Sequence, residues 1–276
     1  MICPWKDLLS ILPSWLALEV DKPYKETLQE LRLRLGQPPQ LIAKGDSFYL
    51  HRKITADDLN FCVNTASRYS PWAAQSSAHG YITAPGGHRI GLCGTAVVHD
   101  GNMTGIRTVN SLCIRVARDF PGIASRYKNY TGSILIIGPP GSGKTTFLRD
   151  LIRQISLTQT VAVVDERYEL FPPGSFPSGT AMDVLSGCPK TVGIDILLRT
   201  MGPEIIAVDE ITSEGDCEAL LKAGWCGVRL IATAHASSVS DLRQRPLYHP
   251  LISKHLFEHV LIMQRNKTLY EERMIP

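Results

Sequence analysis

The chain has 276 residues, enough for two domains that each enclose a core of their own. Hydrophobic residues make up 44% and charged residues 20%, which excludes a disordered chain. No apolar run approaches the about 20 residues that span a bilayer, and a formal net charge of +3 is too mild to argue by itself for a nucleic-acid groove.

Residues 1–122 read as a smaller α+β domain. Gln29 to Leu35 alternates apolar and charged, as a half-exposed strand does. Leu41–Ala43 and Phe48–Leu50 form an expected hairpin around Lys44-Gly45-Asp46. Thr55 followed by Asp58 has the spacing of a capping box, and Leu59, Cys62, Val63 and Ala66 continue as a helical stripe. Strands are expected at 81–83, 89–98 and 106–117, with a turn at Gly86-Gly87. Phe120-Pro121-Gly122 marks the expected boundary.

From 123 to 276 the pattern becomes strand, loop, helix, repeated, which predicts an α/β domain on a mostly parallel sheet. Strands are expected at 133–137, 161–164, 204–208, 228–233 and 259–263. A ligand site is then expected at their carboxyl ends. Gly138-Pro139-Pro140-Gly141-Ser142-Gly143-Lys144-Thr145 lies at the first such end and opens a helix. Its glycines let consecutive N–H groups curl around phosphate oxygens, and the helix N-terminus adds positive potential. Lys144 is placed for the β/γ-phosphates, the Thr145 hydroxyl for Mg²⁺, and Thr146 adds a second hydroxyl in the first helical turn. The expected cofactors are ATP and Mg²⁺.

The other motifs fall at neighbouring strand ends. Asp209 suits the Mg²⁺ shell and Glu210 suits polarising the attacking water. Two acids after an apolar strand also suit solvated surface, and the phosphate loop upstream decides between the two readings. Thr233 and His235 end the next strand, close to where a γ-phosphate lies; a lone histidine also suits simple packing. Asp165-Glu166-Arg167-Tyr168-Glu169 forms an acidic cluster at the same edge. There Glu166, with Glu169 as the alternative, is a candidate for supporting water activation or orienting Mg²⁺ ligands, and the plain alternative is a charged loop with a local salt bridge to Arg167. Arg107 and Arg115, with Arg89, Arg118 and Arg199 beside them, are candidates for neutralising transition-state charge. Phe171 to Gly179, rich in proline and glycine, reads as a loop.

Seven cysteines, an odd number with no Cys-x-x-Cys pair, predict reduced thiols in a cytoplasmic setting rather than disulfides or a zinc site. The N-terminus lacks the charged-then-apolar layout of a signal peptide, so any membrane association is expected to run through a partner.

Residues 130–240 resemble the secretion-type ATPases of type II and type IV secretion and pilus assembly. The likeness lies in the Asp165–Glu169 box, the segment Leu198-Arg199-Thr200-Met201-Gly202-Pro203-Glu204, and Thr233-Ala234-His235. The chain is more closely similar to the stage III sporulation protein AA family of endospore-forming bacteria. Gly86 to Gly94, Ser111 to Ala117, Val163 to Arg167 and the short length carry that likeness across most of the chain. It implies a RecA-like P-loop NTPase core and a cytoplasmic, ring-forming ATPase, as a hexamer, docked on a membrane channel complex during spore development. Asp209 stands where secretion ATPases usually carry glycine, and Thr212-Ser213 where they often carry an arginine-aspartate pair. Three functions remain open on the sequence alone: a motor ATPase, a nucleic-acid-dependent ATPase of the recombinase kind, and a non-catalytic ATP-dependent scaffold. Direct nucleic-acid binding is not expected, because the Arg-rich stretches lack interleaved aromatics.

Overall fold

The computed structural model describes residues 1–67 and 80–273. The chain divides into two compact units: Ile2–Arg118 together with Pro172–Phe176, and Asp119–Phe171 together with the chain from Pro177 onward.

The N-terminal unit contains α1 (Trp5–Ser10), α2 (Ser14–Tyr24), β1 (Leu28–Arg34), β2 (Gln40–Ala43), β3 (Asp46–Tyr49), α3 (Ala56–Ser67), β4 (Tyr81–Thr83), β5 (Arg89–His99) and β6 (Asn102–Arg115). Its strands form an antiparallel sheet in the order β3-β2-β1-β6-β5-β4. Leu28, Leu31 and Leu33 of β1 are buried, together with Leu8, Leu12 and Leu16 from the helical segment before it. That helical segment was not expected. Its apolar positions, mixed with prolines at 4, 13 and 23, break the periodic stripe that marks a helix in sequence. The capping box before α3 forms: Thr55 N donates to Asp58 Oδ2 at 2.9 Å and Asp58 N to Thr55 Oγ1 at 3.2 Å. β5 and β6 run on as a two-stranded ribbon beyond their neighbours, and at Gly94 a Cβ would lie 1.8 Å from Thr108 O. Only glycine permits that close approach.

The C-terminal unit contains β7 (Ile134–Ile137), α4 (Lys144–Ile155), β8 (Val161–Asp165), β9 (Met182–Ser186), α5 (Lys190–Thr200), β10 (Ile205–Val208), α6 (Glu214–Trp225), β11 (Arg229–Ala234), α7 (Val239–Gln244), α8 (His249–Ser253), β12 (His259–Met263) and β13 (Leu269–Arg273). The sheet order is β13-β12-β7-β11-β10-β8-β9, parallel throughout except for β13, which pairs antiparallel with β12 at one edge. β7, β8 and β10 are buried along their whole length, as parallel strands covered on both faces must be. Side chains alternate between two cores: Leu135 and Ile137 enter one, Ile134 and Ile136 the other. This is an α/β fold with a mostly parallel sheet, as the alternation predicts. β9 and β13 lie outside the expected strands; both are edge strands, whose partial exposure weakens the apolar signal. Because β7, β8, β10 and β11 run parallel and in register, Ile137, Asp165, Val208 and Ala234 end on one edge of the sheet.

Candidate nucleotide-binding and catalytic site

The loop between β7 and α4 takes its shape from glycine. Gly141 (φ 74°) and Gly143 (φ 101°) are left-handed, and Gly143 caps α4. At Gly138 a Cβ would meet Met263 O at 2.4 Å, so the loop lies directly against the end of β12. Ser142 Oγ is buried without a hydrogen-bond partner among the described residues. An unpartnered buried hydroxyl inside a glycine-curled loop at a helix N-terminus fits a phosphate-bearing ligand.

Lys144 is buried, and its Nζ donates to Gly138 O at 2.9 Å and Pro139 O at 3.1 Å. Burial pulls its pKa below the ordinary lysine value, while Asp209 and Glu210 push it back up and Lys267 adds to the lowering. Thr145 Oγ1 donates to Asp209 Oδ2 at 2.7 Å, which ties the first turn of α4 to the end of β10. Thr233 Oγ1 donates to Asp209 Oδ1 at 2.6 Å and accepts from Glu210 N at 2.8 Å. Thr145 and Asp209 thus form an oxygen-only donor pair beside the phosphate loop. Such a pair suits Mg²⁺, which keeps several waters and takes its remaining ligands from substrate phosphates. Thr146 lies half-buried in the same helical turn.

Glu210 has φ 52°, an unusual backbone for a residue with a long side chain. Its N–H is held by Thr233, and both carboxylate oxygens are engaged: His235 Nε2 lies 2.9 Å from Oε1 and Arg167 Nη1 donates to Oε2 at 2.8 Å. His235 Nδ1 lies 3.1 Å from Lys144 Nζ. One imidazole therefore links the lysine of the phosphate loop to the glutamate that ends β10. With Nδ1 accepting from Lys144, Nε2 carries the proton and donates to Glu210.

The structure brings together Gly138 to Thr145, Asp209, Glu210, Thr233 and His235. The acidic segment after β8 behaves differently from expectation. Arg167 reaches out of its own cluster to Glu210, 43 residues along the chain. Glu166 pairs with Lys190, whose side chain is buried and which also lies 3.6 Å from Asp216. Asp165 is buried and accepts backbone N–H bonds from Glu169 (2.8 Å), Leu170 (3.1 Å) and Phe171 (2.8 Å). Burial pushes its pKa up to about 6 against those bonds.

Of the other candidate arginines, Arg89, Arg107, Arg115 and Arg118 belong to the N-terminal unit and Arg199 to α5. Arg107 is exposed on β6, and Arg115, on the same strand, faces Glu30 at 3.7 Å. Arg89 stacks over the Tyr81 ring, and Arg118 donates to Lys25 O and Leu28 O. Arg199 pairs with Asp195 on the exposed side of α5. Lys267, in the β12–β13 turn, donates to Gly141 O of the phosphate loop. Neither Asn266 nor Lys267 carries a sequence signal that relates this turn to the phosphate loop.

The sequence profile of the family described as Sporulation stage III, protein AA matches residues 7–274. The chain belongs to that family. It is 38% identical over 280 residues to Stage III sporulation protein AA of Bacillus subtilis (strain 168), covering 95% of this chain and 88% of the relative. Among solved structures it is similar to the Legionella pneumophila ATPase DotB, with TM-score 0.62 at 17% identity over 95% of this chain and 80% of that one. The pilus retraction motor PilT with bound ADP gives TM-score 0.62 at 16% identity over 94% and 82%. These likenesses show the fold of this family member: an α/β core on a mostly parallel sheet, preceded by a smaller α+β unit, as in those two solved structures. No helix among the described residues is long and apolar enough to cross a membrane.

Proposed function

We propose that the protein is an ATP hydrolase that works as a motor of the secretion-ATPase type, energising a membrane channel or secretion-like complex during endospore formation. One observation carries this reading: the two acids that end β10 face the phosphate loop, Asp209 through Thr145 and Glu210 through His235 to Lys144. The curled N–H groups of the loop and Lys144 hold the β- and γ-phosphates. Mg²⁺, held by Thr145 and Asp209, neutralises charge on those phosphates when bound. Glu210 accepts a proton from the attacking water as the water oxygen bonds to the γ-phosphorus and ADP departs. His235 holds the Glu210 carboxylate and registers at Lys144 whether phosphate is present.

The family and the shared fold with ATPases support this assignment, including the ADP carried by the solved pilus retraction motor. Assembly as a hexameric ring, a cytoplasmic location and attachment to a membrane through partner proteins belong to the same proposal. In Glu210→Gln, phosphate release is expected to fall at least 100-fold while binding of a fluorescent ATP analogue stays within about twofold of wild type. Undiminished phosphate release would strip Glu210 of its role as water activator. Absence of turnover in the wild type, even with membrane fractions added, would favour an ATP-dependent scaffold instead.

A further inference from the structure

Asp165, at the end of β8, and Glu166 after it are engaged in structural contacts. Asp165 closes the turn by taking three backbone N–H groups. Arg149, itself buried, donates to Glu169 O at 2.7 Å from the helix that follows the phosphate loop, and is paired with buried Asp119 at 3.4 Å. Tyr168 takes φ 56° in this turn, and its ring lies over Gly187, where a Cβ would sit 2.2 Å from the hydroxyl. Glu166 is tied to Lys190. From this closely fixed turn the Arg167 side chain reaches the end of β10. Its guanidinium meets Glu210 Oε2 while His235 meets Oε1.

We propose that Arg167 is a positioning residue for hydrolysis: it fixes the Glu210 carboxylate from the side opposite His235, and the acidic segment serves the reaction through this arginine rather than through its carboxylates. The proposal rests on the hydrolase reading above. A carboxylate gripped at one oxygen can rotate about its last torsion, which is soft for glutamate. Gripped at both, it keeps its remaining lone pairs in one direction, as a group that must take a proton from an oriented water requires. Arginine suits the task because its charge persists and its planar fork fixes direction as well as distance. The Arg167 guanidinium is engaged with Glu210 rather than with the phosphate loop, so its effect should fall on turnover and not on nucleotide binding.

The test is a double-mutant cycle between Arg167 and Glu210, read as phosphate release and as binding of a fluorescent ATP analogue. Arg167→Gln is expected to lower kcat about 10- to 100-fold with KM and analogue affinity within about twofold. Arg167→Lys is expected to recover part of the loss, since it restores the charge but not the fork. In the Glu210→Gln background, Arg167→Gln should produce no further loss, because the group it positions is already disabled. Unchanged or raised kcat in Arg167→Gln overturns the proposal, as does a loss that appears in KM alone or persists at full size beside Glu210→Gln. Wild-type turnover in Glu210→Gln alone would instead strike the underlying assignment of Glu210. Arg167 is partly exposed, and a melting temperature near wild type identifies the variants as folded.

Discussion

At Glu210 the backbone and the side chain make opposing demands. A left-handed φ of 52° is unfavourable for any residue with a Cβ, by about 1–2 kcal/mol relative to glycine. The conformation persists because Thr233 holds the Glu210 N–H and Ile211 N donates to Thr233 O at 2.9 Å. In the proposed mechanism the carboxylate is what calls for glutamate at this strained position. Glu210→Gly and Glu210→Ala both discard the carboxylate, but only glycine relieves the backbone. Glu210→Gly should therefore be more stable than Glu210→Ala by about 1 kcal/mol in urea unfolding, with both inactive. Equal stabilities would mean that the strain does not exist. At this scale the sequence was informative about identity: the phosphate loop, Asp209, Glu210, Thr233 and His235 each carry a local signature, and parallel strands in register bring them to one edge. Arg167 had no such signature, since its partner lies in another strand–loop unit and its near neighbours offered acids enough for a local pair.

At the scale of elements, the turn after β8 is a buried polar device. The native protein holds the Asp165 proton up to about pH 6, whereas the unfolded chain releases it near the ordinary value of 3.8. Between those values the folded state binds more protons than the unfolded state. Stability contributed by this group therefore falls as pH rises through the window, by on the order of 3 kcal/mol in all. Burial is the main cause, Asp209 adds to it, and the N–H bonds and Arg149 oppose it. In Asp165→Asn the melting temperature should vary less between about pH 4 and pH 6 than in the wild type. It should also be lower at pH 4, where an amide N–H replaces an acceptor facing backbone donors. A slope identical to wild type would show that Asp165 ionises normally in the fold. The strands that hold the site, β7, β8, β10 and β11, were legible as apolar runs because each is buried on both faces. β9, β13 and the first two helices were not, because their exposed or proline-broken patterns resemble loops.

At the scale of the whole molecule, binding should feed back on stability. A ligand that binds only the folded state at 100 times its Kd adds about 2.7 kcal/mol. For a domain the size of the C-terminal unit this corresponds to a rise of about 5–10 °C in melting temperature. Mg²⁺ and a non-hydrolysable ATP analogue are expected to produce that rise in the wild type and to lose most of it in Lys144→Ala. An equal rise in Lys144→Ala would place the nucleotide elsewhere in the protein. The N-terminal unit builds its own antiparallel sheet and core, and Arg89, Arg107, Arg115 and Arg118 belong to it.

By itself the amino-acid order determined the α/β class, the phosphate loop and the acids after β10, because glycine backbone freedom, strand burial and motif spacing act over a few residues. Tertiary structure decided which charges meet. Arg167 on Glu210, Lys190 on Glu166 and Lys267 over Gly141 are pairings set by parallel strands that end in register and by a hairpin that folds back on the loop. Electrostatic partners depend on distance in space, and a chain that returns to the same sheet edge several times brings together residues that no local pattern relates.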